Sequence, residues 1–114
     1  MIVSCNVLII AEMMALAKQA GVDASKIPEA LAGGFADSRP LQIIGPEMAN
    51  NCFEPIKWRV KTLLKDLTMA ADLANLQGSA IPMSGLAAQL LQLHGLSGYL
   101  QQDPATLIKL YSPE

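Results

Sequence analysis

The sequence has few aromatic residues, few charges and only two cysteines, and each scarcity excludes a class of protein. Of its 114 residues, 4% are aromatic and 16% charged, whereas 52% are hydrophobic. Intrinsic disorder needs the opposite balance. A net charge of −2 argues against non-specific binding to nucleic acid or membrane surfaces, which needs a strongly basic field. Cys5 and Cys52 are too few for a disulfide scaffold. They predict free thiols in a reducing compartment, the cytoplasm.

Charge is nearly missing from residues 1–17, the most apolar stretch of the chain. A membrane-spanning helix needs about 20 mostly apolar residues, and Asn6 and Glu12 interrupt this stretch. A signal peptide begins with basic residues, but the first one here is Lys18. We therefore predict a core helix and no membrane span. Because the helix is apolar on nearly all sides, we expect another domain or subunit to cover it.

Strand patterns are also absent, since no segment alternates apolar and polar residues, and alanine and leucine favour helix. We predict one all-α domain over residues 1–114, with six helices delimited by cap residues, glycine and proline. The first predicted helix covers residues 1 to about 20 and is closed by Gly21, and the second covers residues 26–31 after a cap at Asp23 or Ser25. The third begins at Ser38 and stops near Gly45 and Pro46, and the fourth runs from about Trp58 to Gln77. The fifth is opened by Pro82 and Ser84, runs through Leu93 and is ended by Gly95, and the sixth is capped by Asp103.

Common catalytic and metal-binding motifs are missing as well. The single histidine, His94, has no ligand spacing with the two distant cysteines, so we predict no metal site. We interpret His94 as a cation favoured at a helix C-terminus. Gly33 and Gly34 follow a helix rather than a strand and do not form a phosphate loop. Ser84 lacks the nucleophile-elbow pattern of a hydrolase and is interpreted as an N-cap.

What the sequence does contain is a local basic cluster. Half of the eight basic residues lie at Lys57, Arg59, Lys61 and Lys65. They fall at the start of the predicted fourth helix, where the macrodipole disfavours cations. Lys61 and Lys65 also form a like-charge pair at i,i+4. A nearby anion would offset both penalties, and a solvated basic face without a ligand is the alternative.

An aromatic residue lies near the cluster. Seven residues separate Trp58 from Lys65, which predicts that the two share one helix face. An aromatic ring and an ammonium group on one helix face could line a pocket that binds a planar, phosphate-bearing ligand. Asp66 follows and could bond a neighbour or neutralise the cluster.

Four segments resemble one enzyme family. Residues 65–72, KDLTMAAD, resemble the KDLxxAxD signature of the β-hydroxyacid dehydrogenases. This family includes 3-hydroxyisobutyrate dehydrogenase and 2-hydroxy-3-oxopropionate (tartronate semialdehyde) reductase. Residues 30–38, ALAGGFADS, are similar to the family's second-helix exit, and residues 81–83, IPM, to its LP step. Asp103 and the apolar helix after it resemble the family's C-terminal end. The resemblance covers essentially the whole chain.

The resemblance implies an all-α C-terminal domain like that of 6-phosphogluconate dehydrogenase, which follows a Rossmann domain and closes one side of the active-site cleft. By the same resemblance, Lys65 contacts an NAD or NADP cofactor. Trp58 stands where the family usually has phenylalanine near the substrate and nicotinamide, and Asp66 is the acidic residue beside Lys65 in the active-site wall. The implied reaction transfers a hydride between the cofactor and a small 2- or 3-hydroxy acid or its semialdehyde.

The family's catalytic lysine lies in a G-x-x-G-x-x-x-K-x-x-x-N motif, which by alignment falls just before Met1. Asn6 does not replace its asparagine, because the residue four positions earlier is Ile2. We therefore expect a fragment without the Rossmann domain or a catalytic residue, inactive alone and forming a homo-oligomer, most simply a dimer. Two alternatives remain: a non-enzymatic helical oligomerisation module, and a binder of small apolar ligands that uses Met1, Met13 and Met14 of the first helix.

Overall fold

Local cap residues decide where most helices of this chain begin and end. The computed structural model describes residues 1–112, and no strand occurs within them. The all-α prediction is therefore confirmed for this part of the chain. The elements are α1 (Ile2–Gln19), a 3-10 turn (Ala24–Lys26), α2 (Ile27–Leu31), α3 (Arg39–Ala49), α4 (Val60–Gln77), α5 (Pro82–His94), a π-helical turn (Gly95–Tyr99) and a C-terminal 3-10 helix (Pro104–Leu110).

Several predicted caps are confirmed. Gly21 follows α1 with a φ of +78°, a left-handed conformation that glycine adopts without steric cost. The Ser38 side chain accepts a hydrogen bond from the Leu41 N–H at 3.1 Å at the start of α3. The Asp103 side chain accepts one from the Ala105 N–H at 2.9 Å. The helix after Asp103 is a 3-10 helix rather than the predicted α-helix.

α1 is the central helix of the domain and contacts α3, α5 and the C-terminal 3-10 helix. By length and composition it could cross a membrane, a test that the core helix of a soluble protein also passes, and 44% of its residues are buried here. Val7, Ala11 and Met14 are completely buried. The burial of Met14 favours ordinary core packing over a ligand-binding methionine wall.

The predicted end of the third helix is wrong. α3 continues through Gly45 and Pro46 to Ala49. Ile44 and Met48 are buried in the core, so the helix gains from continuing. Glycine is needed at position 45 because a Cβ there would lie 2.8 Å from Cγ of Pro28 in α2. The glycine therefore allows close helix packing instead of ending the helix.

One assignment near α5 is also wrong. Ser84 is not the N-cap, because Ile81 occupies that position and Pro82 starts the helix. The predicted end is confirmed, since α5 ends at His94 and Gly95 is its C-cap. The backbone keeps right-handed helical angles at Gly95 and continues as the π-helical turn, and the chain turns away at Gly98, whose φ is +100°. Glycine tolerates that angle, whereas an L side chain does not.

Candidate functional site

The predicted site residues lie around the beginning of α4, which starts at Val60. Trp58 is in the loop before the helix, and Arg59 is the N-cap, with extended backbone angles and no side-chain cap bond. Trp58 and Lys65 therefore do not share a helix face, and that prediction is wrong. The backbone is still extended at Arg59, and the helix begins only at Val60.

Two carbonyl groups from the end of the chain occupy the N-terminus of α4. The Val60 N–H donates to the Gln102 carbonyl oxygen, and the Lys61 N–H donates to the Leu100 carbonyl oxygen, each at 2.9 Å. Free N–H groups at a helix N-terminus commonly bind phosphate. Here these two donors are already satisfied, so an anionic ligand at this end of α4 would have to be bound by side chains.

Trp58 lies at the edge of the hydrophobic core. Its side chain is half-buried and packs against the core residues. It is also the only tryptophan in the chain. Part of the residue therefore contacts the core and part is accessible.

Lys57 finds anionic partners inside the chain. Its ammonium pairs with the Glu47 carboxylate, and its backbone N–H donates to Oδ2 of Asp103 at 3.0 Å. The hydrogen bond to Glu47 raises the pKa of Lys57, and the charges of Glu47 and Asp103 act in the same direction. These two carboxylates supply part of the negative charge that the basic cluster led us to expect. The sequence analysis found Asp103 only as a helix cap and did not find Glu47.

Lys65 and Asp66 lie on the exposed side of α4. Neither makes a hydrogen bond or an ion pair within residues 1–112. Asp66 begins an exposed stripe at three- and four-residue steps that continues with apolar Met69, Leu73 and Leu76. Both polar side chains are therefore available to a ligand, and the surface beside them is apolar.

His94 has a structural role, and its interpretation as a helix-end cation is wrong. The side chain is 1% exposed. The Thr106 hydroxyl donates to the Asp103 carbonyl oxygen at 2.8 Å, so Thr106 Oγ1 accepts from His94 Nε2–H, also at 2.8 Å. The imidazole stacks on Tyr99 with ring centroids 4.4 Å apart. Burial lowers the pKa of His94 to about 4, and the positive charge of Lys109 acts in the same direction. The ring is neutral at pH 7.

A cavity of about 430 Å³ lies away from the predicted site residues, and Lys18, Asn51, Phe53 and Lys109 are among the residues that line it. Lys18 Nζ donates to the Met48 carbonyl at 2.8 Å and to Asn51 Oδ1 at 3.0 Å. Lys109 Nζ lies 4.7 Å from the centre of the Phe53 ring. Within residues 1–112 no group of three or more His, Cys, Asp or Glu side chains could hold a metal ion.

A central apolar helix is packed against the other helices of an all-α domain, and an exposed Lys-Asp pair lies on α4. The family model for the NAD-binding domain of NADP-dependent 3-hydroxyisobutyrate dehydrogenase matches residues 1–111. This chain belongs to that family.

Known proteins similar to this chain are oxidoreductases. The 2-hydroxy-3-oxopropionate reductase of Escherichia coli K12 is 30% identical over 108 residues, which are 95% of this chain and 37% of that protein. The uncharacterized oxidoreductase YkwC of Bacillus subtilis is 29% identical over 102 residues, or 90% of this chain and 35% of that protein. The chain thus spans little more than a third of either relative.

Two solved structures share the fold. A 3-hydroxyisobutyrate dehydrogenase from Salmonella typhimurium superimposes with a TM-score of 0.88 at 21% identity, over 96% of this chain and 38% of that one. The 3-hydroxyisobutyrate dehydrogenase of Mycobacterium tuberculosis, solved with L-serine, gives 0.80 at 21% identity, over 95% of this chain and 39% of that one. These structures support the helical domain assignment.

Proposed function

We propose that residues 1–114 are the helical C-terminal domain of an NAD- or NADP-dependent hydroxyacid dehydrogenase. The proposed enzyme transfers a hydride between the cofactor and a small 2- or 3-hydroxy acid or its semialdehyde. The observation that carries this proposal is the exposed Lys65–Asp66 pair on α4, in a chain of the NAD-binding family. The name of the Escherichia coli relative, a reductase of 2-hydroxy-3-oxopropionate, supports the substrate class.

The residues at the start of α4 fit a nicotinamide cofactor. When bound, the cofactor supplies the hydride chemistry, and the protein supplies binding and orientation. In this proposal the Lys65 ammonium binds a cofactor oxygen by a charge-assisted hydrogen bond. The accessible part of Trp58 forms an aromatic wall near the substrate and nicotinamide, and Asp66 accepts hydrogen bonds at the edge of the same cleft.

We propose that the acid–base lysine of the reaction lies outside residues 1–114 and that this chain alone is inactive. This part of the proposal is supported by the sequence, in which the family's G-x-x-G-x-x-x-K-x-x-x-N motif does not occur. The assay is NAD(P)H absorbance with hydroxy acids and their semialdehydes. Turnover by the purified chain would show that this part of the proposal is wrong.

The cofactor contact is tested by replacing Lys65 with methionine in the complete enzyme that contains this domain. Methionine keeps the length of the side chain and favours helix, so α4 should be unaffected. Loss of one charge-assisted contact should cost about 1.5–3 kcal/mol, or roughly ten- to a hundredfold in cofactor affinity. Calorimetric titration with NAD or NADP measures that affinity.

The matched control is Lys26→Met, which removes an exposed lysine from the 3-10 turn before α2. We expect this variant to bind cofactor as the unmodified enzyme does. Equal affinities for the Lys65 and Lys26 variants would contradict the proposed contact and support a solvated basic face.

We also propose that the chain forms a homodimer through α1. The same dimer is expected if the chain is instead a helical oligomerisation module without enzymatic activity. Ile2, Ile9 and Leu16 lie seven residues apart along α1 and are 85%, 54% and 70% exposed. Such a stripe is typical of a helix that packs against a partner. We expect Ile9→Lys to dissociate the dimer in sedimentation, whereas Leu73→Lys on α4 should not. If the unmodified chain sediments as a monomer at micromolar concentration, the proposed dimer is refuted.

A cytoplasmic location is proposed as well. It rests on the two cysteines, Cys5 and Cys52, which are both free in the described structure. Thiol labelling in intact cells, before and after lysis, tests this location. Labelling of both thiols before lysis by a reagent that does not cross membranes would contradict it.

A further inference from the structure

Three hydrogen bonds join residues 57–61, the segment that contains Trp58, to residues 100–103. The Lys57 N–H donates to the Asp103 carboxylate, and the N–H groups of Val60 and Lys61 donate to main-chain carbonyls of residues 100–102. Trp58 lies between two of these anchored positions. Its backbone is therefore held on both sides by residues more than 40 positions away in sequence.

The carboxylate of Asp103 has an unusual position for a helix cap. It is 1% exposed, and its two oxygens bond to different segments. Oδ1 accepts from the Ala105 N–H at 2.9 Å and caps the 3-10 helix. Oδ2 accepts from the Lys57 N–H at 3.0 Å. Ala105 is itself fully buried in the core, so the carboxylate that bonds to Lys57 is also tied to a closely packed segment.

We propose that Asp103 is a positioning residue that sets the orientation of Trp58 toward the cofactor cleft. It acts through the Lys57 main chain and does not itself contact a ligand. The inferred effect of Asp103 on cofactor binding rests on the proposed function. The inferred effect of Asp103 on the position of Trp58 does not, and it is tested without any cofactor.

The chain offers a matched control for this role. Asp23 also caps a 3-10 turn, and it accepts from the N–H group two residues later, that of Ser25, at 3.2 Å. Asp23 is exposed, however, and its side-chain hydrogen bonds stay within residues 23–25. A substitution at Asp23 therefore removes the same kind of cap without touching a distant segment.

Two substitutions at Asp103 separate the cap from the long-range bond. Asp103→Asn keeps one acceptor oxygen for Ala105 but presents an NH₂ group, which cannot accept, to the Lys57 N–H. Asp103→Ser keeps a good N-cap side chain that is too short to serve both segments. Asp23→Asn is the control, and far-UV circular dichroism reports whether each variant is folded.

Trp58 provides the spectroscopic readout, because it is the only tryptophan. We expect the folded Asp103 variants to show red-shifted Trp58 emission and stronger acrylamide quenching, and the Asp23 variant to match the unmodified chain. Folded Asp103 variants with unchanged emission would overturn the proposal. Amide hydrogen exchange in the unmodified chain is a second test that needs no variant. The Lys57 amide should exchange as slowly as core amides, and exchange as fast as an exposed loop would also overturn the proposal.

Cofactor titration of the complete enzyme that contains this domain then distinguishes the inference from the proposed function. In that enzyme we expect the Asp103 variants to bind NAD or NADP several-fold more weakly than the Asp23 variant. Shifted Trp58 emission in the chain with unchanged cofactor affinity in the enzyme would show that the position of Trp58 does not affect cofactor binding. Failure of the unmodified enzyme to bind either cofactor would instead refute the proposed function and leave the positioning result standing.

Discussion

The burial of His94 predicts a specific loss of stability in mild acid. In the folded chain, burial lowers the pKa of His94 from its ordinary value of 6.5 to about 4. Between these two values the unfolded chain binds more protons than the folded chain. The free energy of unfolding is therefore highest above about pH 6.5 and decreases as the pH falls towards the pKa of His94 in the folded chain, about 4.

The size of this loss follows from the two pKa values. One pKa unit corresponds to about 1.4 kcal/mol, and integration from about pH 7 to about pH 5 gives a loss of about 2 kcal/mol. Asp23 and Asp37 contribute little in this range, because hydrogen bonds lower their pKa below the ordinary value of 3.8 and both stay ionised. The predicted loss is thus assigned mainly to His94.

Urea unfolding at both pH values, with and without His94→Gln, tests the assignment. Glutamine can still donate to Thr106 and cannot titrate, although it loses the stacking contact with Tyr99. The variant should be less stable at about pH 7 but should lose much less stability than the unmodified chain on acidification. Equal losses in the two proteins would refute the reasoning.

Two further predictions concern packing and hydrogen bonding in the core. Gly45→Ala should destabilise the chain by roughly 1–3 kcal/mol in urea unfolding, because the new Cβ would lie 2.8 Å from Pro28. At Gly85 in α5 an added Cβ would have no atom within 4 Å, so Gly85→Ala should stabilise the chain by up to about 1 kcal/mol. A Gly45→Ala variant that is more stable than the Gly85→Ala variant would contradict the packing argument. Thr106→Val should cost about 1–3 kcal/mol, because the buried Nε2–H of His94 loses its acceptor, and Thr106→Ser should restore most of that stability.

The parts of the fold that depend on neighbouring residues were predictable from the sequence. Ser38 and Asp103 cap their helices with bonds that span two or three residues, and Gly21 ends α1 by its own backbone angle. Each signal needs only the local chain to act. The predicted core helix over residues 1 to about 20 is also observed, with Val7 and Met14 buried.

The parts that depend on distant residues were not predictable. Gly45 reads as a helix end, and only the approach of Pro28 reveals it as a packing position. The first N–H groups of α4 donate to the carbonyls of Leu100 and Gln102, about 40 residues later in the chain. No local pattern in the sequence encodes those bonds, and so the shared face of Trp58 and Lys65 was a reasonable but wrong prediction.

The hydrogen bonds that fix α4 also limit how it can bind a cofactor. They satisfy the N–H groups of Val60 and Lys61, and Glu47 neutralises Lys57. Lys65 remains as an exposed cation, and exposed charges attract weakly in water and are screened within about 10 Å at 0.1 M salt. Tight binding through Lys65 therefore requires a second surface that closes over α4 and excludes water. In the proposed function α4 is one wall of a cleft, and the affinity contributed by Lys65 depends on how completely the opposite wall buries it.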